Sequence, residues 1–167
     1  MSRLIGITLL RRGFHVFIHH DIMSRIRGGH NFSQVRIGEG PVLCPSGEVD
    51  ILVCLDANTL GLYRDEIGGL ILFDPGDIDE EPEGEGFLPL PMSEIAEKNG
   101  GSARMANSVA SGALFFLMGQ DVEGYIDILG EVFGDKGEEV VEANRKCARA
   151  GYEHAAEHFE KMVMTGI

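Results

Sequence analysis

Residues 51–73 read ILVCLDANTLGLYRDEIGGLILF, which predicts a strand, a helix and a second strand in succession. The run 51–55 is short and continuously apolar, as in strands that a parallel sheet buries on both faces, so we expect a central strand there. Residues 56–59 supply candidate N-caps for a helix that ends near a glycine pair at 68–69. This order of elements is typical of an α/β fold.

The N-terminal part of the chain repeats half of this pattern. Apolar residues from Ser2 to Leu10 follow helical spacing, and Gly13 is a fitting helix stop. The run 14–18 predicts a strand, and the alternation at 32–37 predicts a weaker strand at or near a sheet edge. Since a crossover helix joins two parallel strands, a strand is expected ahead of the first helix, and we expect this chain to lack it.

Three helices are predicted in the second half of the chain. Asn107 or Ser108 is expected to cap the first, the run 109–118, which is apolar almost all round and therefore predicted to be the buried core helix. Asp121 is expected to cap the second. The third opens at Gly137, and its apolar stripe consists of Val140, Val141, Cys147, Ala148, Gly151, Tyr152, Ala155 and Phe159.

Charge is unevenly distributed along the chain. The formal net charge of −13 argues against duplex nucleic acid as a partner, because phosphate binding requires a basic surface. The chain is mildly basic before residue 40, whereas residues 77–86 are mostly acidic and too polar to order themselves. We expect 77–86 to be an exposed, mobile loop, with a docking surface for a basic partner segment as the alternative.

The cysteines and the hydropathy pattern bear on which metal sites, disulfides and cell compartment the sequence predicts. Cys44, Cys54 and Cys147 are odd in number, far apart and without a C-x-x-C pair, so no disulfide framework, zinc site or iron–sulfur site is expected within the chain. Cys54 is predicted to be a small core residue. No apolar run reaches the ~20 residues of a membrane span and no signal-peptide pattern follows Met1, so we expect a cytoplasmic protein.

Short segments over most of the chain carry a recognisable pattern. They are GFHV at 13–16, SRIRGGHN at 24–31, VDILV at 49–53, NSVASGA at 107–113, GEEVVEAN at 137–144 and AGY at 150–152. Together they resemble the gamma domain of 2-oxoacid:ferredoxin oxidoreductases, in particular the form fused to the alpha chain of 2-oxoglutarate-type enzymes. The loop 24–31 is the most specific match, because two arginines, a glycine pair and an amide at this spacing are rare together.

The resemblance implies a Rossmann-like three-layer α/β domain with a mostly parallel sheet and C-terminal helices, as a single domain over residues 1–167. It implies alpha and beta partner subunits that carry thiamine diphosphate, Mg²⁺ and iron–sulfur clusters, with none of these bound by this chain alone. Coenzyme A is then the co-substrate and ferredoxin the electron acceptor. Family members begin with a strand and a glycine-rich loop, which we expect to be missing from this chain, and we therefore expect the isolated chain to self-associate through uncovered surface.

The loop 24–31, here called the arginine loop, is the predicted binding site. Its site residues are Arg25, Arg27, Gly28, Gly29, His30 and Asn31. In an extended loop the two guanidinium groups can gather around one anion, and the glycine pair lets backbone N–H groups approach it. The resemblance implies that the anion is a phosphate of coenzyme A or a carboxylate of a neighbouring subunit. A structural turn with solvent-exposed arginines is the alternative.

No catalytic or metal-binding residue is predicted in the chain. His30 has no serine or cysteine nucleophile and no orienting acid recognisable near it in sequence. The run His19, His20 and Asp21 does not suggest a metal site, because adjacent side chains of a strand point to opposite faces.

Two other functions remain open. The small subunit of indolepyruvate oxidoreductase resembles the same domain and differs in substrate. A free-standing small-ligand or nucleotide-binding α/β protein is the second alternative, and it requires the glycine-rich loop for phosphate binding. A complete oxidoreductase lacks support, because the sequence contains neither cluster cysteines nor a dinucleotide fingerprint.

Overall fold

The computed structural model describes residues 1–22, 30–63, 67–78, 82, 84 and 86–162. The chain divides into two compact units, Met1–Gly47 and Glu48–Val163, and each is described by itself. Half of the acidic loop predicted at 77–86, namely residues 79–81, 83 and 85, lies outside the described residues.

The first unit contains one helix and a pair of strands. Its elements are α1 (Ser2–Arg11), β1 (His15–Asp21) and β2 (Phe32–Gly38). α1 is followed by Gly13, whose φ of +93° favours glycine, as the sequence predicted. The two strands pair antiparallel, from His15 opposite Gly38 to Asp21 opposite Phe32.

Opposite faces of the β1–β2 pair are covered by different segments. Gly6 of α1 packs on one face, where an added β-carbon would lie 2.7 Å from Ile18 Cδ1. On the other face, Gln34 and Arg36 donate hydrogen bonds of 2.8 and 3.1 Å to backbone carbonyls within residues 44–46. Because side chains alternate along a strand, these bonds hold 44–46 across the face that α1 leaves open.

A parallel sheet forms the first part of the second unit. Its elements are β3 (Ile51–Val53), α2 (Ala57–Tyr63), β4 (Leu70–Phe73) and β5 (Phe87–Pro89). The strand order is β3-β4-β5, so β4 and not β3 is central in this sheet. The prediction of a central strand at 51–55 was wrong in position, since β3 stops at Val53 and Leu55 is 48% exposed. Cys54 is buried beside Leu60, Ile71 and Phe73, as predicted.

Helices make up the rest of the second unit. They are α3 (Met92–Gly100), α4 (Ala106–Leu117), α5 (Glu123–Phe133) and α6 (Glu138–His158). Nine of the twelve residues of α4 are buried, which confirms it as the core helix. None of the helices in the described part of the chain combines the length and apolar composition that a membrane span requires.

The predicted helix cap is confirmed for α2 and corrected for α4 and α5. Asp56 accepts the N–H of Thr59 at 3.0 Å, whereas Asp121 lies one residue before Val122, the N-cap of α5, and accepts the N–H of Glu123 at 3.0 Å. α4 begins at Ala106, so Asn107 and Ser108 lie inside it. A short 3₁₀ turn, Ala103–Met105, leads into the helix and takes the place of a side-chain cap.

The α/β class and the parallel arrangement of β3, β4 and β5 are confirmed. β1 and β2 differ from the expected parallel pattern because they form a separate antiparallel pair. The connection between them spans residues 22–31. A short connection suits antiparallel strands, whereas parallel neighbours need a crossover of a dozen or more residues.

Candidate functional site

The arginine loop connects β1 to β2, and the structure describes only its last two residues. The predicted site residues that lie outside the described part are Arg25, Arg27, Gly28 and Gly29. His30 is half-buried and Asn31 is exposed, and each already interacts with another group of the protein. Anion binding by the arginine loop therefore stays a prediction. The structure describes the residues on either side of the loop.

Side chains of both strands fix the end of the pair from which the loop extends. The rings of His19 and Phe32 meet edge to face with centroids 6.3 Å apart. His20 Nδ1 shares a 2.7 Å hydrogen bond with Ser33 Oγ. The two histidines therefore lie on opposite faces, as the sequence predicted. Asp21 pairs with Phe32, so the two ends of the connection are held close together.

Exposed apolar side chains flank this end of the first unit. Ile22 is 79% exposed and Phe32 is 39% exposed at this end, and Leu43, next to the Cys44 that contacts Arg36, is 84% exposed elsewhere in the first unit. Residues 1–47 also contain six arginines and only two acidic residues. A unit with exposed apolar side chains and an excess of arginines is suited to bind a partner of negative charge.

A second polar edge lies in the second unit, where β3 and β4 end. Asp74 is 5% exposed and accepts the N–H of Gly76 at 3.0 Å and the N–H of Ser93 at 2.8 Å. Asp74 thus ties the turn after β4 to the start of α3. Burial raises the pKa of Asp77, and the nearby Asp74 and Asp56 raise it further.

Asp74 is not among the site residues predicted from the sequence. The available signal was an aspartate directly after a buried parallel strand, since the carboxyl ends of parallel strands form the edge where α/β sheets place polar groups. Both of its carboxylate oxygens are occupied by backbone donors. Asp74 is therefore a positioning residue of the fold rather than a ligand-facing group.

Polar side chains of the NSVASGA segment lie inside the helical part of the second unit. Ser108 Oγ donates to Asn144 Oδ1 at 2.7 Å, and Asn144 Nδ2 donates to Val140 O at 2.8 Å. Burial raises the pKa of Tyr125, while hydrogen bonds with Ser111 and Ser108 act in the opposite direction. These contacts join α4 to α5 and α6. The polar residues of the NSVASGA segment are therefore explained by helix packing.

Two of the three cysteines are buried thiols. Burial raises the pKa of Cys54 to about 11, with Asp56 adding to the effect, and burial also raises the pKa of Cys147. Among the residues that the structure describes, no three His, Cys, Asp or Glu side chains come together as a metal site would require. Cys44 is exposed, and its Sγ accepts a hydrogen bond from Arg36 at 3.4 Å.

Comparison with solved structures finds this fold in a group of ferredoxin-dependent enzymes. The chain is similar to a 2-oxoglutarate:ferredoxin oxidoreductase from Magnetococcus marinus with 2-oxoglutarate, coenzyme A and succinyl-CoA bound, at 27% identity and a TM-score of 0.83. The match covers 96% of this chain and 30% of the Magnetococcus chain. This chain therefore spans less than a third of that protein's length.

Two further structures match over most of both chains. The gamma subunit of a keto/oxoacid ferredoxin oxidoreductase from Geobacter sulfurreducens is 25% identical with a TM-score of 0.72, and the match covers 92% of this chain and 90% of that one. Subunit PORC of pyruvate oxidoreductase from Thermotoga maritima, 22% identical with a TM-score of 0.64 over 91% and 86%, shares the fold. None of the curated proteins matches the chain.

The sequence carries a family pattern over most of its length. The profile of the pyruvate ferredoxin/flavodoxin oxidoreductase family matches residues 1–154, which take in residues of both compact units. This match confirms the resemblance drawn from the short segments between residues 13 and 152. The chain belongs to the pyruvate ferredoxin/flavodoxin oxidoreductase family.

Proposed function

We propose that this chain is the gamma-type subunit of a cytoplasmic, thiamine-dependent 2-oxoacid:ferredoxin oxidoreductase. The reaction converts a 2-oxoacid and coenzyme A to acyl-CoA and carbon dioxide, and the electrons pass to ferredoxin. The observation that carries the proposal is the match to the Geobacter gamma subunit over 92% of this chain and 90% of that one. A chain that matches a gamma subunit over nearly its whole length is expected to take the same place in a complex.

The chain's own donor groups support a role without redox chemistry. Cys54 and Cys147 are buried thiols with raised pKa values, which leaves the exposed Cys44 as the one cysteine on the surface. Thiamine diphosphate with Mg²⁺ and iron–sulfur clusters, when bound to the alpha and beta partners, supply decarboxylation and electron transfer. This subunit then helps to bind and orient a substrate.

The arginine loop is assigned to the coenzyme A side of the reaction. Coenzyme A carries phosphate groups, and guanidinium groups bind phosphate oxygens through paired, charge-assisted hydrogen bonds. Arg25 and Arg27 supply two such guanidinium groups in a chain whose net negative charge otherwise repels anions. His30 and Asn31 follow at the start of β2, where the paired strands hold the loop ends together. The similar Magnetococcus structure contains bound coenzyme A.

Docking of the alpha and beta subunits is assigned to the exposed apolar side chains of the first unit. Ile22, Phe32 and Leu43 would bury apolar surface on a partner, and the excess of arginines in residues 1–47 favours a partner of negative charge. The loop would then lie near a subunit junction, where both functions of the arginines can operate.

Isolation from the native cell tests the proposal. The chain, tagged at its chromosomal locus, is purified under low salt, and the co-eluting proteins are identified by mass spectrometry. The fractions are assayed for dye reduction with a panel of 2-oxoacids that includes pyruvate, 2-oxoglutarate and indolepyruvate, with and without coenzyme A.

We expect a stable complex with visible absorbance and a reduction rate that depends on both a 2-oxoacid and coenzyme A. Recovery of the chain alone, or with partners that support no such reaction, would contradict the subunit role. The preferred 2-oxoacid in the panel distinguishes an indolepyruvate enzyme from the other members of the family.

A further inference from the structure

The parallel sheet of the second unit has two edges, one at β3 and one at β5. Its strand order is β3-β4-β5, so each of these two strands has one neighbour in the described part of the chain. A strand edge presents N–H and C=O groups that can pair with another chain, and proteins commonly block such edges with proline or charged residues. The two edges of this sheet differ in this respect.

Proline blocks the edge at β5. The N–H of Ile71 donates to the carbonyl oxygen of Gly86 at 2.7 Å. The N–H of Leu90 donates to the carbonyl oxygen of Phe73 at 2.8 Å. Backbone groups alternate between the two sides of a parallel strand, so Pro89 directs its backbone away from β4. Proline has no N–H to offer there, and an outer edge is where strands tolerate it.

In the described part of the chain, nothing blocks the edge at β3 in this way. The N–H of Cys54 donates to a β4 carbonyl at 2.8 Å, and the carbonyl oxygen of Asp50 accepts a β4 N–H at 2.8 Å. By the same alternation, the N–H and C=O groups of Ile51 and Val53 point to the outer side of β3. Both residues have an N–H, and β3 contains no charged side chain. This edge can therefore accept a further strand.

The side chains of β3 suit an interior strand rather than an edge. The run Ile51–Val53 is wholly apolar, a composition typical of parallel strands that are covered on both sides. Its residues are only half-buried, whereas Ile71, Leu72 and Phe73 of β4 are 3%, 0% and 2% exposed. A further strand beside β3 would cover part of this apolar surface and favour association.

The charges around β3 determine which strand fits beside it. Residues 48–63 contain the exposed carboxylates Glu48, Asp50 and Asp56 and neither lysine nor arginine. A two-fold pair of β3 strands centred on Leu52 would set Glu48 of each copy opposite Asp56 of the other. Like charges directly opposite each other are destabilising, so a second copy of this chain is disfavoured. A segment with lysine or arginine at its ends is complementary instead.

We infer that the outer edge of β3 pairs with an extended apolar segment, flanked by lysine or arginine, of another subunit in the oxidoreductase complex. The inference rests on the proposed function, because the partner belongs to the complex to which this chain is assigned. The N–H and C=O groups of Ile51 and Val53 would form hydrogen bonds across the subunit boundary, in the mode of β-strand addition. β3 then becomes an interior strand of a sheet that two chains share.

Hydrogen exchange at the amides of Ile51 and Val53 tests this pairing without any substitution. Exchange is resolved at single amides, in the isolated chain at two concentrations and in the complex purified from the native cell. The Leu52 amide, which faces β4, is the internal reference. We expect Ile51 and Val53 to exchange at least about tenfold more slowly in the complex than in the isolated chain, with a smaller change at Leu52.

A proline substitution tests whether the outward N–H of β3 contributes to assembly. Val53→Pro removes this N–H, and Val53→Ala is the matched control that keeps it. Pro89 shows that an outward position of this sheet accommodates proline. The concentration of pure chain that restores half of the activity of a depleted complex should be at least about tenfold higher for Val53→Pro than for Val53→Ala. Urea unfolding of both variants checks their folding, and exchange in the unaltered chain decides the question if Val53→Pro does not fold.

The outcomes separate this inference from the proposed function. Equal exchange of Ile51 and Val53 in the isolated chain and in an active complex would overturn the inference and leave the subunit role intact, as would equal uptake of two folded Val53 variants. Protection that appears in the isolated chain as its concentration rises would assign the edge to a second copy and also overturn it. Failure to recover any complex with 2-oxoacid- and coenzyme A-dependent activity would contradict the proposed function, and this inference with it.

Discussion

Gly112 of α4 and Gly151 of α6 allow these two helices to cross in direct backbone contact. A β-carbon on Gly112 would collide with the carbonyl oxygen of Ala148, and one on Gly151 would collide with the carbonyl oxygen of Val109. Each glycine thus faces the backbone of the opposite helix. The obstacle in each case is main chain, which cannot move aside as a flexible side chain can.

Replacement of either glycine by alanine is therefore expected to destabilise the second unit. Overpacking at such a contact costs about 1–3 kcal/mol, because the helices must shift apart. Urea unfolding followed by circular dichroism measures the change for Gly112→Ala and Gly151→Ala. The matched control is Gly61→Ala in α2, where an added β-carbon meets nothing within 4 Å.

Gly61→Ala should leave the free energy of unfolding unchanged or raise it by roughly 0.5–1 kcal/mol, since alanine has a higher helix propensity than glycine. Equal stability of all three variants would show that α4 and α6 do not cross as closely as described.

Asp74 is expected to be a larger contributor to stability than a surface helix cap. Its carboxylate accepts two backbone N–H groups while almost fully buried, and hydrogen bonds to charged groups contribute about 1.5–3 kcal/mol each. Asp74→Ala should lower the free energy of unfolding by at least about 2 kcal/mol. Asp121→Ala, which removes an exposed hydrogen bond to the first N–H of α5, should cost about 1 kcal/mol and serves as the comparison.

Asp74→Asn keeps one good acceptor and should fall between the two alanine variants in chemical denaturation. A smaller loss for Asp74→Ala than for Asp121→Ala would contradict the role of Asp74 as the tie between β4 and α3.

The reactivity of the three cysteines toward thiol reagents should depend on whether each is buried. At pH 7.5 a thiol reagent is expected to label Cys44 in the folded chain, while Cys54 and Cys147 react only after unfolding. Burial raises the pKa of Cys54 from its ordinary 9.0 to about 11, so the unfolded thiol ionises first as the pH rises. Its contribution to stability is complete below pH 9 and is lost between pH 9 and about 11.

Alkaline unfolding of Cys54→Ala, which lacks this ionisation, should show a shallower loss of stability over the same pH range. Mass spectrometry of alkylated peptides gives the labelling pattern. Rapid labelling of Cys54 in the folded protein would argue against its place in the core of the β3–β5 sheet.

The regular elements of the second unit could be predicted from the sequence because each has a clear hydrophobic signal. The short apolar run at 70–73 became a buried strand, and the nearly all-apolar run predicted at 109–118 lies in the core helix, which ends at Leu117. Gly13 marked the end of α1 because only a residue tolerant of positive φ suits that position.

Relationships between distant residues could not be predicted in the same way. The apolar pattern of β1 and β2 does not encode the direction in which they pair. Ser108 has the composition of a helix cap, yet its partner is Asn144, which lies 36 residues further along the chain. Asp74 has a partner 19 residues away in Ser93. Such contacts depend on tertiary packing, which local propensity does not report.

The arginine loop supports a test that separates its two proposed roles. Replacing Arg25 and Arg27 by alanine in the assembled enzyme should raise the apparent KM for coenzyme A at least about tenfold, because each lost charge-assisted hydrogen bond contributes about 1.5–3 kcal/mol. The KM for the 2-oxoacid should change little. Arg3→Ala, an exposed arginine of α1, is the control and should alter neither constant.

Dissociation of the complex at moderate salt, with both substrates affected together, would instead assign the arginines to subunit docking. An intact complex with unchanged coenzyme A dependence would leave the loop as a structural turn. Steady-state kinetics and size-exclusion chromatography of the same preparations distinguish these outcomes.

Removal and return of this chain in the purified complex tests the subunit role most directly. The measured quantity is the rate of ferredoxin reduction that depends on a 2-oxoacid and coenzyme A, before depletion, after selective depletion of the chain, and after adding the pure chain back. We expect the rate to fall with depletion and to recover in proportion to the chain returned, while the pure chain alone shows no activity and no visible absorbance. A complex that keeps its full coenzyme A-dependent rate without this chain would contradict the proposed function.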